Sequence, residues 1–285
     1  MQQVFQSKLT KSFFSFHYLK HFSFSIQTQK YHLINYEQKG SVGLIQFNRP
    51  QKFNAMCNEL THEVNDILAK LDADDSIGAI VVTGHKDFFA SGADIIEMKD
   101  ETYPGTYMKG LHDHWNFITS IKKPIIGAVS GYVLGGGCIY ALLCDILLAG
   151  HNAKIGIPAI ALSITPLGSS TQSLPHLVGK SKAMEIVLTG NPITAEEAHK
   201  IGMVSHVYHA DEVVNEAVKL GEKISQYSRP VVRMAKECVN KSFDYSLSDG
   251  LKYEKQMFWS TFALKDQKEG MNAFVEKRKP KFTNS

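Results

Sequence analysis

The chain has 285 residues, of which 44% are hydrophobic, and it carries 31 lysines and arginines against 28 aspartates and glutamates. This composition indicates a folded globular protein and argues against a largely disordered one. The small net charge gives no reason to expect nucleic acid binding. No apolar run is long enough to predict a transmembrane segment.

The first 30 residues differ in composition from the rest. They contain four lysines, several serines and several phenylalanines, whereas the first acidic residue of the chain is Glu37. This composition is typical of a mitochondrial leader, although arginine is missing and lysine and histidine take its place. The alternative is an N-terminal extension that docks on a partner protein. Without its four lysines, the chain keeps 27 basic residues against 28 acidic ones, a net charge of −1.

Strand-like and helix-like segments alternate after Tyr31. Residues 60–71 carry apolar side chains at helical spacing, and small residues at 88–94 predict a turn before another helix. The alternation predicts an α/β fold in which helices cover a parallel sheet. Apolar runs predict strands at 42–47, 77–83, 125–129, 146–149 and 203–208.

The C-terminal third is predicted to be mostly helical. Thr194 and Glu197 have the spacing of a capping box, which predicts a helix that ends near Gly202. We expect three further helices to pack on the sheet or on a neighbouring subunit. Their apolar residues recur at helical spacing over 211–227, 230–243 and 247–264.

The segment at 122–149 carries the strongest chemical signal. The predicted strand at 125–129 is followed by three consecutive glycines, Gly135 to Gly137, and then by an apolar helix start. The first N–H groups of a helix have no intrahelical partner, and the helix dipole adds to their attraction for negative charge. Glycine lets a ligand approach these groups closely. We therefore predict a site that holds an oxyanion; the alternative is simple close packing of a helix on a strand.

The four cysteines lie in apolar or helical segments, and their spacing is not that of metal ligands. They are Cys57, Cys138, Cys144 and Cys238. Reduced, packed thiols are predicted, which suits the mitochondrial matrix or the cytosol. No metal site and no cofactor are predicted.

Five segments of the chain resemble the crotonase superfamily, and within it the mitochondrial short-chain enoyl-CoA hydratases. They are FNRPQKFNAMCNEL at 47–60, FFASGADIIEM at 88–98, KPIIGAVSGYVLGGGC at 123–138, KAMEIVLTGNPITAEEAHKIGMVSHV at 182–207 and STFALKDQKEGMNAFVEKRKPKF at 260–282. The resemblance implies a crotonase-like spiral of ββα units over 31–225, a C-terminal helical trimerisation region over 226–285, and residues 1–30 as leader or extension. It also implies trimers or dimers of trimers, and a pocket for a coenzyme A thioester.

In that family two peptide N–H groups hold the thioester oxygen, and the matching residues here are Ala93 and Gly136. Asp94 is expected to fix the turn that contains Ala93. The resemblance also places contacts to coenzyme A at Lys52, Lys86, Asp94, Lys277 and Lys279. For the two C-terminal lysines, the alternative is a solvated basic tail.

The sequence departs from the family at both catalytic glutamates. The family carries one glutamate two residues after the glycine triplet and a second one twenty residues further on, where this chain has Ile139 and Ala159. Neither side chain can accept or deliver a proton, and each general acid or base normally contributes about 10²–10⁴ in rate. The family's downstream arginine is also replaced, by Ser173.

Other side chains are candidates for a relocated acid or base. His112 and His114 are candidate bases, with solvent exposure as the commoner alternative. Tyr140 is expected to lie in the core and to point away from Ile139, because one step along a helix turns a side chain by about 100°. Asp145 is expected to be a turn or capping residue. Four hydroxyl side chains with no base beside them in sequence are candidates to line the same pocket: Ser163, Thr165, Ser169 and Ser170.

Two functions follow from these observations. The first is a non-catalytic hydratase homologue in mitochondria, either an accessory subunit of a larger assembly or an acyl-CoA-binding protein. The second is an active enoyl-CoA hydratase/isomerase of fatty-acid β-oxidation that uses a relocated acid or base. The missing carboxylates favour the first function, whereas the intact oxyanion turn and the C-terminal signature favour the second.

Overall fold

The computed structural model describes residues 31–168 and 170–285. The predicted leader and Ser169 lie outside the described residues. The strands are β1 (Ile34–Lys39), β2 (Val42–Phe47), β3 (Ala79–Thr83), β4 (Phe88–Ala90), β5 (Ile125–Val129), β6 (Tyr132–Leu134), β7 (Ile146–Gly150), β8 (Lys154–Gly156), β9 (Ile193–Thr194) and β10 (His206–Tyr208). The helices are α1 (Asn58–Ala73), α2 (Tyr103–Lys109), α3 (Gly136–Leu142), α4 (Leu174–Val178), α5 (Lys180–Thr189), α6 (Ala195–Lys200), α7 (Val213–Ser225), α8 (Arg229–Lys241), α9 (Leu247–Thr261) and α10 (Lys265–Val275).

The strands form a larger and a smaller sheet. The larger sheet has the order β1-β2-β3-β5-β7-β10, in which only β1 is antiparallel to its neighbour. The smaller sheet has the order β4-β6-β8-β9, with β4, β6 and β8 parallel. Each of the successive strand pairs β3–β4, β5–β6 and β7–β8 contributes its first strand to the larger sheet and its second strand to the smaller sheet. This is the spiral of ββα units that the resemblance implies.

Both faces of the central strands of the larger sheet are buried. Every residue of β3 and of β5 is buried, which explains why those strands read as continuous apolar runs. On one face, Val81 and Ile126 pack in a cluster with Val213 and Ala217 of α7. On the other face lies the main core, to which α1 contributes the apolar side chains that recur along its length.

The C-terminal helices are close to their predicted positions. α7, α8 and α9 correspond to the three predicted segments, and α10 is an additional helix that the sequence pattern did not indicate. An ion pair links α8 to the start of β7, with 2.7 Å between Lys236 Nζ and Asp145 Oδ2. Within the described part of the chain, no helix is both long and apolar enough to cross a membrane.

Two predicted segments differ from the structure. The strand predicted at 203–208 begins only at His206, because Met203 and Val204 are buried in the main core instead of being paired in the sheet. The segment at 88–94 begins with β4, and the helix predicted after it is a single 3₁₀ turn, Ile95–Glu97.

Candidate functional site

The site forms where the glycine triplet meets the turn after β4. A Cβ placed on Gly137 would lie 2.5 Å from the carbonyl oxygen of Ala90, and one placed on Gly136 would lie 3.0 Å from the amide nitrogen of Ala93. Real Cβ atoms do not approach other atoms this closely without displacing them. The absence of side chains at these two positions therefore permits the two segments to touch.

The amide groups of Ala93 and Gly136 lie at this junction. The bridge between Met56 and Ala93 uses the flanking amides, because Met56 N–H donates to the carbonyl oxygen of Gly92 (2.8 Å) and Asp94 N–H donates to that of Met56 (2.9 Å). Gly136 is the first residue of α3, so its N–H has no partner within the helix. Neither Ala93 N–H nor Gly136 N–H has an acceptor among the described residues. Two such unpaired donors can stabilise a thioester oxygen that gains negative charge.

Two residues hold the turn after β4 in position. Asn54 is buried in a left-handed conformation; its Oδ1 accepts from Arg49 N–H (2.8 Å), and its Nδ2 donates to the carbonyl oxygen of Phe89 (3.0 Å). The Arg49 guanidinium pairs with the Asp94 carboxylate at 2.8 Å, and the same carboxylate accepts from Ile96 N–H at 3.1 Å. Sequence reasoning missed the roles of Arg49 and Asn54, although both lie in the first segment that carries the family resemblance.

The contacts with Arg49 and Ile96 also affect the pKa of the Asp94 carboxylate. Partial burial would raise its pKa, but the hydrogen bonds from Arg49 and Ile96 N–H outweigh that effect, and the pKa is lowered, with a further contribution from Lys52. Asp94 therefore stays ionised and fixes the turn, as expected. Its contact with coenzyme A remains a prediction, and so does that of Lys52, whose side chain is exposed near this carboxylate.

The two residues that the sequence resemblance aligns with the family glutamates, Ile139 and Ala159, carry apolar side chains. Ile139 lies one helical turn after Gly136 and is only 5% exposed. Its Cγ2 packs against Gly168, at 2.7 Å from where a Cβ on that glycine would lie. Ala159 is half-buried against the main core in the 3₁₀ turn Pro158–Leu162. The site thus places aliphatic groups, not proton carriers, at both positions.

The expectation of solvent-facing histidines is wrong for His112. His112 is only 8% exposed, and neither of its ring nitrogens has a hydrogen-bond partner in the described part of the chain. Its ring packs on Trp115 at a centroid distance of 4.3 Å. His114 is half-buried, and its Nε2 lies 2.6 Å from the Thr61 hydroxyl. Burial lowers the pKa of His112, and His114 beside it lowers that pKa further.

The remaining candidates are mostly structural. Tyr140 is fully buried and packs edge-on against Phe47 at 5.8 Å, which confirms its place in the core. Asp145 does more than cap a turn, because its carboxylate accepts from Ile125 N–H (2.7 Å) and also pairs with Lys236. Of the hydroxyl residues, Ser163 and Thr165 are exposed and Ser170 is buried, donating to the carbonyl oxygen of Leu167 (2.6 Å).

The other lysines predicted to contact coenzyme A are exposed. Lys86 lies in the loop between β3 and β4, where Asn152 Nδ2 donates to its carbonyl oxygen. Lys277 and Lys279 follow α10 in a tail that folds back on that helix, because Asp266 accepts from the backbone N–H groups of Thr283 and Asn284. No contact among the described residues brings these three lysines to the Ala93–Gly136 pair.

Comparison with known proteins decides the family. Residues 37–285 match the family described as "Enoyl-CoA hydratase/isomerase". The chain belongs to this family. It is 50% identical over 248 residues to a protein of Dictyostelium discoideum described as "Probable enoyl-CoA hydratase, mitochondrial", covering 87% of this chain and 90% of that relative. It is 46% identical over 245 residues to "Enoyl-CoA hydratase, mitochondrial" of Pongo abelii, covering 86% and 84%.

Solved structures agree with the sequence relatives. A crystal structure of enoyl-CoA hydratase subunit I from Geobacillus kaustophilus HTA426 superposes with a TM-score of 0.87 at 35% identity, covering 90% of this chain and all of that one. An enoyl-CoA hydratase from Bacillus anthracis superposes with a TM-score of 0.84 at 29% identity. The crotonase fold implied by the sequence is therefore confirmed.

Proposed function

We propose that this hydratase-like protein binds a short-chain acyl-CoA or enoyl-CoA thioester but does not hydrate it at a rate typical of an enzyme. The observation that carries the proposal is the unpaired amide pair of Ala93 and Gly136 with Ile139 one helical turn away. The amide pair supplies an oxyanion hole for the thioester oxygen. The apolar neighbour supplies no acid or base.

Addition of water to an enoyl thioester needs more than an oxyanion hole. One group must take a proton from the water, and a proton must be delivered to the α-carbon. Each such group contributes about 10²–10⁴ in rate. With Ile139 and Ala159 at the positions of the family glutamates, both contributions are missing, and the water is no longer held.

Coenzyme A would be held by the predicted cationic side chains. Lysine suits phosphate as a mobile point charge, and exposed lysines can adjust to a flexible nucleotide. The residues in question are Lys52, Lys86, Lys277 and Lys279, with Asp94 keeping the adjoining turn in place.

We also propose that the protein is a mitochondrial homo-oligomer, a trimer or dimer of trimers, that can serve as an accessory subunit of a larger assembly. The C-terminal helices support an interface, because they expose large apolar side chains that monomeric proteins seldom leave uncovered. Examples are Phe258 and Trp259 of α9 and Phe274 of α10, the last of which is 85% exposed. The names of the relatives support the location. A native-mass measurement on protein from mitochondria separates a free oligomer from a component of a larger complex.

Two measurements on the purified protein test the activity. Titration calorimetry with butyryl-CoA should show saturable binding, and crotonyl-CoA should show no loss of its conjugated-thioester absorbance above background. Ala93→Pro removes one of the two N–H groups and should weaken the binding of butyryl-CoA. An alanine-to-proline substitution at an exposed position outside the site serves as a control for folding. Absence of binding by the folded wild type would overturn the proposal.

The second candidate function is an active enoyl-CoA hydratase/isomerase of fatty-acid β-oxidation with a relocated acid or base. The extensive identity to relatives named as hydratases favours it. Turnover of crotonyl-CoA at an enzymatic rate would establish this function and refute the first one.

A further inference from the structure

His112 carries three unfavourable features at once. It adopts a left-handed backbone conformation with φ of 66°, its residue is buried, and both of its ring nitrogens lack a hydrogen-bond partner among the described residues. A buried polar group without a partner costs free energy, and so does a left-handed non-glycine residue. Residues held in such unfavourable states often belong to functional sites.

The position of His112 connects it to the amide pair. Its ring packs on Trp115, and Trp115 Cη2 lies 2.6 Å from where a Cβ on Gly136 would be. One aromatic ring therefore spans the distance between the imidazole and the glycine. The indole nitrogen of Trp115 is also buried without a partner in the described chain. The indole ring of Trp115 therefore contacts both the unpaired imidazole of His112 and the glycine that supplies one N–H of the amide pair.

We propose that His112 is the proton acceptor for the α-carbon of an acyl-CoA thioester bound at Ala93 and Gly136. This inference rests on the proposed thioester binding. The imidazole nitrogen takes the α-proton, the electrons of the broken C–H bond form the C=C bond of an enolate, and the carbonyl π electrons move to the oxygen held by the two N–H groups. Return of a proton from the imidazolium restores the thioester, so the step is balanced and needs no further reactant.

The surroundings of His112 suit a base. The imidazole must be neutral to accept a proton, and its burial and the nearby His114 both favour the neutral form. The charged or titratable groups closest in sequence are Asp113, which is exposed, and His114, which contacts Thr61. The same arrangement explains why hydration is not expected, because a single imidazole does not provide the second group that activates and holds water at the β-carbon.

Exchange of the α-protons of butyryl-CoA in D₂O, followed by proton NMR, tests this role. The wild type should catalyse the exchange. His112→Gly should lower the exchange rate by about 100-fold or more, while calorimetry shows butyryl-CoA affinity within about threefold, a limit of about 0.7 kcal/mol. Glycine is a suitable replacement because it adopts a positive φ without strain. His32→Gln, at an exposed histidine outside the site, is the control, and it should leave the exchange rate unchanged.

Chemical rescue distinguishes a base from a packing residue. Free imidazole should restore exchange in His112→Gly, because it fills the space left by the side chain and can accept a proton. Pyrazole has nearly the same shape but is a much weaker base, and it should not restore exchange. His112→Gln, which keeps a polar side chain, should also be inactive and replaces the glycine variant if that one does not fold.

The outcomes separate this inference from the proposed function. Failure of the wild type to bind butyryl-CoA overturns both. Binding without exchange in the wild type, exchange that persists in His112→Gly and His112→Gln, or equal rescue by imidazole and pyrazole each overturns the role of His112 and leaves thioester binding intact.

Discussion

The contact between Gly136 and its surroundings makes Gly136→Ala the most informative substitution. The new Cβ would lie 2.6 Å from Trp115 Cη2, 2.8 Å from Trp115 Cζ3 and 3.0 Å from the Ala93 amide nitrogen. Non-bonded carbon atoms prefer separations of about 3.5–4.0 Å. The indole ring must therefore move by about 1 Å, or the glycine triplet must retreat from the turn after β4 by a similar distance.

Both responses have a predictable cost. Overpacking of a core by one methyl group destabilises a protein by about 1–3 kcal/mol, and Trp115 cannot move freely because it is buried against His112. Separation of the two amides by about 1 Å would also weaken one of the hydrogen bonds to the thioester oxygen. Loss of a net 0.5–1.5 kcal/mol, a typical value for one hydrogen bond, corresponds to an affinity about 2-fold to 12-fold lower.

Denaturant unfolding measures the first effect, and calorimetry with butyryl-CoA measures the second. Gly250→Ala in α9 is the matched control, because the nearest atom to its new Cβ is Tyr245 Cβ at 3.9 Å, an ordinary contact. That control should stabilise the helix by about 0.5–1 kcal/mol and leave affinity unchanged. If Gly136→Ala retained both the stability and the affinity of the wild type, the close approach of the triplet to the amide of Ala93 would not be a feature of the site.

Three further predictions concern the groups around the amide pair. Ile139→Glu combined with Ala159→Glu should produce measurable hydration of crotonyl-CoA by the absorbance assay; a folded double variant that binds coenzyme A thioesters but does not hydrate crotonyl-CoA would contradict the proposed reason for low hydratase activity. Arg49→Met leaves the carboxylate of Asp94 without its cation and should lower the free energy of unfolding by about 1.5–3 kcal/mol, as measured in denaturant; no loss would mean that the ion pair does not support the turn. The pKa of His112 is lowered by folding, so the unfolded chain binds more protons and stability should decrease as the pH falls below about 6.5, the ordinary value for histidine. This loss of stability at low pH should be smaller in His112→Gly than in the wild type. Identical pH profiles of the free energy of unfolding in the two proteins would refute the burial of a neutral imidazole.

Local sequence patterns determined much of the fold. Strands β3 and β5 were predictable as continuous apolar runs. Both faces of these strands are buried, so apolar residues do not alternate with polar ones along them. The start of α3 was also predictable, since glycines followed by an apolar run indicate a helix terminus whose first N–H groups have no partner within the helix. The resemblance alone aligns Ile139 and Ala159 with the family glutamates, because these residues follow the glycine triplet at the same number of positions along the chain as those glutamates do.

Only the tertiary structure decided which distant residues complete the site. Trp115 meets Gly136, His112 is buried with its nitrogens unpaired, and Arg49 reaches Asp94. No sequence pattern indicates these contacts, because a side chain's burial depends on packing between segments that are far apart along the chain. A histidine on a short connecting segment is equally compatible with solvent and with a cavity until the strands and helices that surround it have assembled. The sequence by itself therefore predicted the backbone donors Ala93 and Gly136 and the aliphatic residues Ile139 and Ala159, whereas long-range packing determined which side chains contact them.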